Sequence, residues 1–316
     1  MTSTLEGRDL LSIEDLTKEE IFEILDTAAA IKPRILRKED ISEYHVLKGK
    51  HFVLYFEKDS LRTMLSFDSA IKRLGGTTTV LDGNRVGLGV REPIKDAASV
   101  IEQMSNGIAA RVYHHEVLTD LAEYTSIPVI NALSDVEHPC QTLGDLLTIR
   151  EKMGRLEGVN IAYLGDGGNN VATSLTAAAG IMGMNLVIAS PDMPKYRPNE
   201  RLLQKFGRNV RVTDDPKMAV RGVDIVYTDV WTSMGQESEK EERQKDMHIF
   251  QVTEELMSLT NNASFMHCEP MHRGEEVTHG VASTYRLNLL KPQEGNRLYS
   301  AMGLFYVIFD GKPLII

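Results

Sequence analysis

Short apolar runs alternate with longer amphipathic stretches along nearly the whole chain. In the first half the apolar runs are HFVLYF at 51–56, TTTVL at 77–81, GIAARVY at 107–113 and IPVINAL at 127–133. The stretches that follow them, such as 61–74 and 141–154, space their apolar residues at helical intervals. Because strands that alternate with helices form βα units, this half is predicted to contain a mainly parallel sheet.

The same pattern restarts after Gly154, a residue type that commonly ends helices. The apolar runs of the second half are VNIAYLG, NLVIAS, NVRVT, DIVYTDV and ASFMHCEP, and a last helical stretch covers 295–309. We therefore predict an α/β fold of two doubly wound parallel-sheet domains, residues 1–150 and 151–294, joined by linking helices. The mixed-charge run at 236–246 is predicted to be a solvated helix or loop.

Composition places the chain among ordinary globular proteins and excludes several classes. Of 316 residues, 42% are hydrophobic and 25% charged, and no apolar run approaches the roughly 20 residues of a membrane helix. The N-terminus lacks the basic and apolar regions of a signal peptide. Two cysteines, Cys140 and Cys268, provide no disulfide framework, so we expect a reducing, cytoplasmic compartment. The formal net charge of −10 argues against a nucleic-acid partner and requires local cations to capture any anionic substrate.

Polar side chains follow the predicted strands, which is where ligands bind in open α/β sheets. Ser60, Arg62 and Thr63 stand where the strand at 51–56 gives way to a helix. Free N–H groups and the helix dipole at such a junction, together with hydroxyls and a guanidinium, form a cradle for a phosphate. The alternative is that Ser60 only caps the helix and Arg62 is a surface residue. This stretch alone leaves both interpretations open.

The segment His138-Pro139-Cys140-Gln141 follows the strand at 127–133. One histidine and one cysteine do not make a set of metal ligands, so no metal is predicted here. Gln141 at a helix start favours recognition of an amide or a carbonyl group, since a histidine donates to the oxygen and a glutamine accepts from an NH2. The alternative for His138 is a buried structural histidine.

Two later strands end in residues that suit a small zwitterion carrying an amine. Asp229, Ser233 and Met234 offer a carboxylate, a hydroxyl and an apolar wall, and the alternative is a turn capped by the first two. Cys268 follows His267, which along a strand points to the opposite face, so a polar or packing role at the substrate amine is favoured over a nucleophile.

The glycine turn GDGGNN at 165–170 lacks the spacing of a dinucleotide fingerprint. Its interpretation is therefore either a tight turn or a loop that turns the Asn170 amide toward the ligand crevice.

These motifs together resemble the aspartate/ornithine carbamoyltransferase family, and within it the ornithine-specific enzymes. The resemblance covers nearly the whole chain, and its segments stand in family order: GRDLLSIEDLTKEEI, FEKDSLRT, REPIKDAASV, ARVYHHE, PVINALSDVEHPCQTLGDLLTI, DVWTSMGQESEKEER, FMHCEPMHRGEEVT and NRL. The combination of HPCQ, SMGQE and HC-P is highly specific. The resemblance implies transfer of the carbamoyl group of carbamoyl phosphate to the δ-amine of L-ornithine, within arginine biosynthesis.

The resemblance also implies roles for individual residues. In the first domain, with a C-terminal helix at 295–316 packed back on it, the implied carbamoyl phosphate ligands are Ser60, Leu61, Arg62, Thr63, Arg111, His138, Gln141 and Arg297, joined by Cys268 and Glu269. The implied ornithine ligands in the second domain are Asn170, Asp229, Ser233 and Met234. The implied catalytic residues are Arg111, His138 and Cys268. No metal and no organic cofactor are expected, because the leaving group of carbamoyl phosphate is activated in advance. The net charge and the lack of long apolar runs predict no nucleic-acid and no membrane partner. The resemblance implies a homotrimer or a multiple of trimers.

Four positions depart from the family pattern. Leu61 replaces a threonine, Met64 replaces an arginine, and Gly87 stands where a glutamine reaches into a neighbour's site. Glu269 replaces a leucine, and it would favour the δ-ammonium, act as a general base, or point away and pair with Arg273 or another cation.

Two other functions stay open beside carbamoyl transfer to ornithine. One is a carbamoyltransferase for another amine, such as putrescine or an acylated ornithine. The other is a non-catalytic paralogue that binds carbamoyl phosphate or a protein partner.

Overall fold

A computed structural model describes residues 5–233 and 235–310 of the chain. The chain divides into two compact units: unit 1 holds the residues up to Leu147 and from Gly295 onward, and unit 2 holds Thr148–Glu294. The first division lies inside a helix, at 147 rather than at the boundary of 150 predicted from the sequence. Within the described residues, no helix combines the length and the apolar character that crossing a bilayer requires.

Unit 1 contains a parallel four-stranded sheet with the order β2-β1-β3-β4. Its strands are β1 (His51–Phe56), β2 (Thr77–Asp82), β3 (Gly107–Arg111) and β4 (Val129–Leu133). Its helices are α1 (Lys18–Leu36), α2 (Leu61–Arg73), α3 (Gly83–Val86), α4 (Ile94–Met104), α5 (His115–Tyr124) and the first part of α6 (Pro139–Met153). β1, β3 and β4 are buried almost throughout, which explains why they read as continuous apolar runs.

Unit 2 contains a parallel five-stranded sheet with the order β7-β6-β5-β8-β9. Its strands are β5 (Asn160–Leu164), β6 (Asn185–Ala189), β7 (Val210–Thr213), β8 (Ile225–Thr228) and β9 (Ser264–His267). Its helices are α7 (Asn170–Met182), α8 (Glu200–Phe206), α9 (Pro216–Ala219), α10 (Lys240–Met247), α11 (Glu254–Ser258), α12 (His279–Thr284) and the start of α13 (Leu290–Asp310). Two α/β units with parallel sheets confirm the predicted fold class.

The C-terminal helix α13 begins at Leu290, earlier than the predicted start at 295. The Asn288 side chain accepts a hydrogen bond of 2.8 Å from the Leu290 N–H and so satisfies one free donor of the first turn. Pro292 lies in that turn, where a proline costs no helical hydrogen bond. The sequence pattern missed this turn because Pro292 and Gly295 both look like helix breakers.

Phe305 of α13 packs edge-on against Phe52 of β1 and Phe67 of α2, with ring centroids 5.6 Å apart in both pairs. All three rings are buried. This packing fixes the C-terminal part of α13 in unit 1 and brings Arg297 back to the elements that carry Thr63.

Each sheet has one point where the strand order reverses, between β1 and β3 in unit 1 and between β5 and β8 in unit 2. Ligands of open α/β sheets bind beyond the carboxyl ends of the strands at such a point. The chain segments at these ends are 57–62 and Arg111 in unit 1, and 165–170 and Asp229 in unit 2. The loops that lie at these two points of strand reversal are therefore among those that the sequence analysis found to be rich in polar groups.

Candidate active site

The start of α2 forms the centre of a polar cluster in unit 1. Ser60 is the N-cap, and its hydroxyl accepts from the Thr63 N–H at 3.4 Å. The same hydroxyl accepts from Arg111 Nη1 at 3.1 Å. Ser60 therefore caps the helix and also holds the guanidinium of Arg111, from the end of β3, near the free N–H groups of the helix start. A helix cap and a phosphate cradle are thus compatible interpretations of this stretch.

A second guanidinium reaches the same helix start from α13. Arg297 Nη2 donates to Thr63 Oγ1 at 2.7 Å, and both side chains are buried. Arg62 is half-buried, whereas 65% of Leu61 is exposed. Arginines from three elements thus surround the helix start, which supplies the local positive charge that an acidic protein needs to bind an anion.

His138 lies next to these arginines. Its burial, followed by the charges of Arg297 and Arg111, lowers the pKa of the imidazole well below 6.5. The ring is therefore neutral at neutral pH and can donate one hydrogen bond without carrying a charge of its own.

Gln141 lies one helical turn before Asp145 on α6, and both side chains are 1% exposed. Gln141 Nε2 donates to Asp145 Oδ1 at 2.9 Å. Gln141 Oε1 is buried and has no hydrogen-bond partner among the described residues. A buried amide oxygen of this kind can accept a hydrogen bond from a ligand. This is the role that the sequence predicted for Gln141, acceptance of a hydrogen bond from an NH2 group.

Cys140 takes no part in this chemistry. Its thiol donates to the Asn131 carbonyl at 3.4 Å, and burial raises its pKa to about 12. The thiol therefore stays protonated at neutral pH, which makes it a poor nucleophile and a poor metal ligand.

The loop that carries His138 is fastened to the N-terminal segment, a contact that the sequence did not reveal. Buried Glu137 accepts from Ser12 Oγ at 2.5 Å and from the Ile13 N–H at 3.2 Å. Asn131 Nδ2 donates to the Leu11 carbonyl at 2.8 Å. Because the partners lie more than a hundred positions apart, no local pattern marks them.

Asp229 is the centre of the polar cluster in unit 2. Its carboxylate accepts from Cys268 Sγ at 2.7 Å, from Asn169 Nδ2 at 3.0 Å and from the Val230 N–H at 2.7 Å. Burial raises the pKa of this carboxyl, while nearby His267 and the Cys268 hydrogen bond oppose the rise. The sequence predicted Asp229 and Cys268 separately, and the structure brings them together.

The glycine turn places Asn169 in this cluster. Asn169 caps α7 through its Oδ1, and its Nδ2 also donates to Tyr163 Oη at 2.8 Å. Asn170 is the first residue of α7 and is buried. The sequence analysis missed Asn169 because a cap and a site residue look alike in a turn.

Ser233 is half-buried, and its N–H donates to the Gln236 side chain at 3.0 Å. Met234, the neighbouring predicted ornithine ligand, lies outside the described residues.

The expectation that His267 points away from Cys268 is wrong. One ligating atom each of Asp229, His267 and Cys268 lies within 4.8 Å of the others. Strand alternation does not apply, because β9 ends at His267 and Cys268 begins the following turn. The imidazole is nevertheless engaged: Nδ1 accepts from the Glu269 N–H at 2.8 Å, and Nε2 lies 3.1 Å from buried Glu276 Oε1. This tautomer leaves no ring nitrogen to deprotonate the thiol.

Glu269 is half-buried and has φ of +54°, the left-handed region that few residues with a side chain adopt. Among the described residues its Oε2 is buried without a hydrogen-bond partner, and Glu269 makes no ion pair with Arg273. The interpretations of Glu269 as a carboxylate that favours the δ-ammonium and as a general base stay predictions.

The mixed-charge run is not fully solvated as predicted. It contains α10, and Arg243 on that helix is 3% exposed. Arg243 Nη1 pairs with Asp166 Oδ2 at 2.7 Å and donates to the Trp231 carbonyl at 3.3 Å. The Arg243 guanidinium thus binds both the glycine turn and the segment after β8. The sequence does not reveal this role, because one buried arginine in a charged run looks like its exposed neighbours.

Comparisons with known proteins identify the family of this chain. The family model described as the carbamoyl-P binding domain of aspartate/ornithine carbamoyltransferase matches residues 8–151, and the Asp/Orn binding domain model matches 157–308. The chain is 45% identical to an ornithine carbamoyltransferase of Hyperthermus butylicus over 98% of this chain and 99% of that protein. It is 40% identical to the anabolic ornithine carbamoyltransferase of Pyrococcus furiosus over 98% of this chain and 99% of that protein.

Solved structures give the same result. The ornithine carbamoyltransferase from Pyrococcus furiosus superposes with a TM-score of 0.91 at 40% identity, covering 99% of both chains. The enzyme from Thermus thermophilus superposes with a TM-score of 0.86 at 39% identity, covering 97% of this chain and 100% of that one.

Proposed function

Because the chain belongs to the aspartate/ornithine carbamoyltransferase family, we propose that it transfers the carbamoyl group of carbamoyl phosphate to the δ-amine of L-ornithine, giving L-citrulline and phosphate. The observation that carries this proposal is the gathering of Arg111, Arg297 and neutral His138 at the start of α2. That cluster suits a small dianion with a carbonyl group. The setting we propose is arginine biosynthesis, which the name of one relative, an anabolic ornithine carbamoyltransferase, supports.

Carbamoyl phosphate binds to the unit 1 cluster in this proposal. Its phosphate takes the free N–H groups of the helix start, including that of Leu61, with Ser60, Arg62 and Thr63. Its NH2 donates to the orphaned Gln141 Oε1. This assignment gives a hydrogen-bond partner to a buried oxygen that has none among the described residues, as expected of an atom that binds a ligand.

The chemical step then needs charge stabilisation rather than a cofactor. Attack by the neutral δ-amine on the carbamoyl carbon builds negative charge on the carbonyl oxygen. Thr63, Arg111 and His138 are the donors for that charge, and such preorganised donors usually supply the largest catalytic contribution. The carbon–oxygen bond to phosphate then breaks, and phosphate leaves as an anion that is already paired with arginines. The δ-nitrogen loses one proton in this step, and the departing phosphate takes that proton up.

Ornithine binds to the unit 2 cluster in this proposal. The Asp229 carboxylate holds the α-ammonium group, and Asn170, Ser233 and Met234 complete the site. The Cys268 Sγ lies 2.7 Å from Asp229 Oδ1 and contacts the reacting δ-amine of ornithine in this proposal. Glu269 follows directly, with a carboxylate oxygen that has no described partner. An amino acid with a free α-amine is therefore favoured over an acylated one.

We further propose a homotrimer, or a multiple of trimers, in the cytoplasm. Several large apolar side chains of unit 1 are exposed: Val90 at 90%, Leu61 at 65% and Leu65 at 51%. Leu61 and Leu65 lie one turn apart on α2, and an exposed apolar pair of this kind favours coverage by another subunit. Val90 belongs to the basic loop that contains Arg85, Arg91 and Lys95, so this loop is our candidate for a neighbour's contact. Both cysteines are free thiols, as a reducing compartment allows.

Steady-state turnover of carbamoyl phosphate with a panel of amines tests the proposed function. The panel is L-ornithine, putrescine, Nα-acetylornithine and 5-aminopentanoate, which lacks the α-amine. We expect kcat/KM to be highest for ornithine, and Asp229→Asn to lower it for ornithine more than for 5-aminopentanoate. A preference for putrescine or Nα-acetylornithine would replace the proposed substrate, and absence of turnover with every amine would favour the non-catalytic paralogue.

A further inference from the structure

The Gln141 side chain is held in one orientation by Asp145. The Nε2 to Oδ1 hydrogen bond is 2.9 Å long, and both residues are 1% exposed. A carboxylate only accepts hydrogen bonds, so it selects the NH2 end of the Gln141 amide. The oxygen end must then face the other way, and it is this atom that lacks a partner among the described residues.

An amide side chain without such a neighbour has no fixed polarity. Its two ends are nearly the same size, and a turn of the terminal torsion exchanges donor and acceptor. At this position the exchange would place the NH2 of Gln141 opposite the NH2 of carbamoyl phosphate. The carboxylate of Asp145 opposes the exchange, because it would then face the amide oxygen.

We propose that Asp145 is a specificity-determining positioning residue, which makes the site select an acyl phosphate carrying an NH2 over one carrying an oxygen at the same place. The proposal rests on the proposed function, since it takes carbamoyl phosphate as the ligand of the unit 1 cluster. Asp145 acts through Gln141: it fixes an acceptor where the ligand must donate. A ligand with a carboxylate oxygen there meets another acceptor and leaves buried polar groups unpaired.

Two stable analogues of carbamoyl phosphate test this selection. Phosphonoacetamide carries the NH2, and phosphonoacetate carries an oxygen in its place. The measurement is the dissociation constant of each analogue for the wild-type protein and for Asp145→Asn. The asparagine offers Gln141 either an oxygen or an NH2, so the Gln141 amide is free to turn. We expect the preference for phosphonoacetamide to fall by about tenfold or more, the usual effect of one mispaired buried group.

Asp145→Asn also removes a negative charge, which by itself favours phosphonoacetate. The same substitution in a Gln141→Leu background removes that charge where residue 141 has no amide to turn, and so measures the effect of residue 145 alone. Any larger fall in the preference for phosphonoacetamide when Gln141 is present measures the effect of the Gln141 amide orientation. A second comparison is the double variant Gln141→Glu with Asp145→Asn. It keeps the net charge of the pair, moves the carboxylate to the ligand side and presents an oxygen to the ligand whichever way it turns, so we expect a preference for phosphonoacetamide at least as strong as that of the wild type.

Binding of inorganic phosphate identifies the variants whose helix start is intact. Where Asp145→Asn fails this check, the double variant decides: a preference at least as strong as that of the wild type supports the proposal, and loss of preference overturns it. An equal change in the glutamine and leucine backgrounds also overturns it while leaving the proposed function intact. If the wild-type protein does not bind phosphonoacetamide, the proposed function is overturned and this inference with it.

Discussion

The buried ion pair between Asp166 and Arg243 gives the sharpest stability prediction. The two side chains are 3% and 4% exposed and lie 2.7 Å apart. Asp166→Asn keeps the shape but leaves the guanidinium buried without its carboxylate. Removing one partner of a buried pair costs about 3–5 kcal/mol. Arg243 retains the Trp231 carbonyl and Glu239, whose carboxylate is 3.0 Å away and partly exposed, so we place the loss near the lower limit, at about 3 kcal/mol.

The free energy of unfolding by urea and the thermal midpoint measure this loss. A loss of about 3 kcal/mol corresponds to a fall in midpoint of roughly 6–12 °C for a unit of this size. The matched control is Glu255→Gln in the same unit, which breaks an exposed pair with Lys217. Such pairs contribute about 0–1 kcal/mol. If Asp166→Asn destabilised the protein no more than Glu255→Gln does, the assignment of a stabilising buried pair would be refuted.

The same variant has an expected effect on catalysis. Asp166 belongs to the glycine turn whose Asn169 donates to Asp229, and Arg243 also holds the Trp231 carbonyl after β8. We therefore expect KM for ornithine to rise while KM for carbamoyl phosphate stays within a factor of about two, since the substituted pair and its hydrogen-bond partners all belong to unit 2. A rise confined to carbamoyl phosphate would contradict the assignment of substrates to the two clusters.

Three further predictions concern single side chains. Arg62→Ala should keep the fold, as judged by circular dichroism, but lower kcat/KM by at least ~2–3 kcal/mol in transition-state binding, because it removes a charge-assisted phosphate contact; near-normal turnover would exclude this loop as the phosphate site. Because the pKa of buried His138 lies well below 6.5, the unfolded chain binds a proton first, so the free energy of unfolding should fall as the pH drops below 6.5. His138→Asn should flatten that dependence in urea titrations, and an unchanged slope would show that other groups cause it. Activity should rise with pH as the δ-amine loses its proton; in the pH profile of kcat/KM, Glu269→Leu should lower the apparent pKa if Glu269 favours the ammonium form, or lower kcat strongly if it is the base, and an unchanged profile would remove Glu269 from the site.

The strands and most helices were predictable because their apolar patterns are local. β1 and α2 appear as the sequence indicates, and Gly154 follows the end of α6 as predicted. The polar groups at strand ends were predictable for the same reason: Arg111 ends β3, Asp229 directly follows β8, and Ser60 lies in the short loop after β1. The order of the strands was not, because it depends on pairing between distant segments, and it is the order that brings these ends together.

The residues that position the site were the ones the sequence concealed. Glu137 bonds to Ser12 at a separation of 125 positions, and Arg243 bonds to Asp166 at a separation of 77. Only Asp145 carried a usable signal, since residues four apart on a helix are neighbours and Gln141 pairs with it in that register. A buried charge inside a charged run looks like a solvated face until its partner is known.

The identity of the product tests the central claim most directly. Carbamoyl phosphate labelled with carbon-13 at the carbonyl, incubated with ornithine and followed by NMR, should convert to a single ureido resonance of citrulline with one phosphate released for each citrulline formed. Arg111→Ala, prepared in the same way, should lose this conversion and so exclude a contaminating host enzyme. Appearance of the label in another product, or equal citrulline formation by both proteins, would contradict carbamoyl transfer at this site.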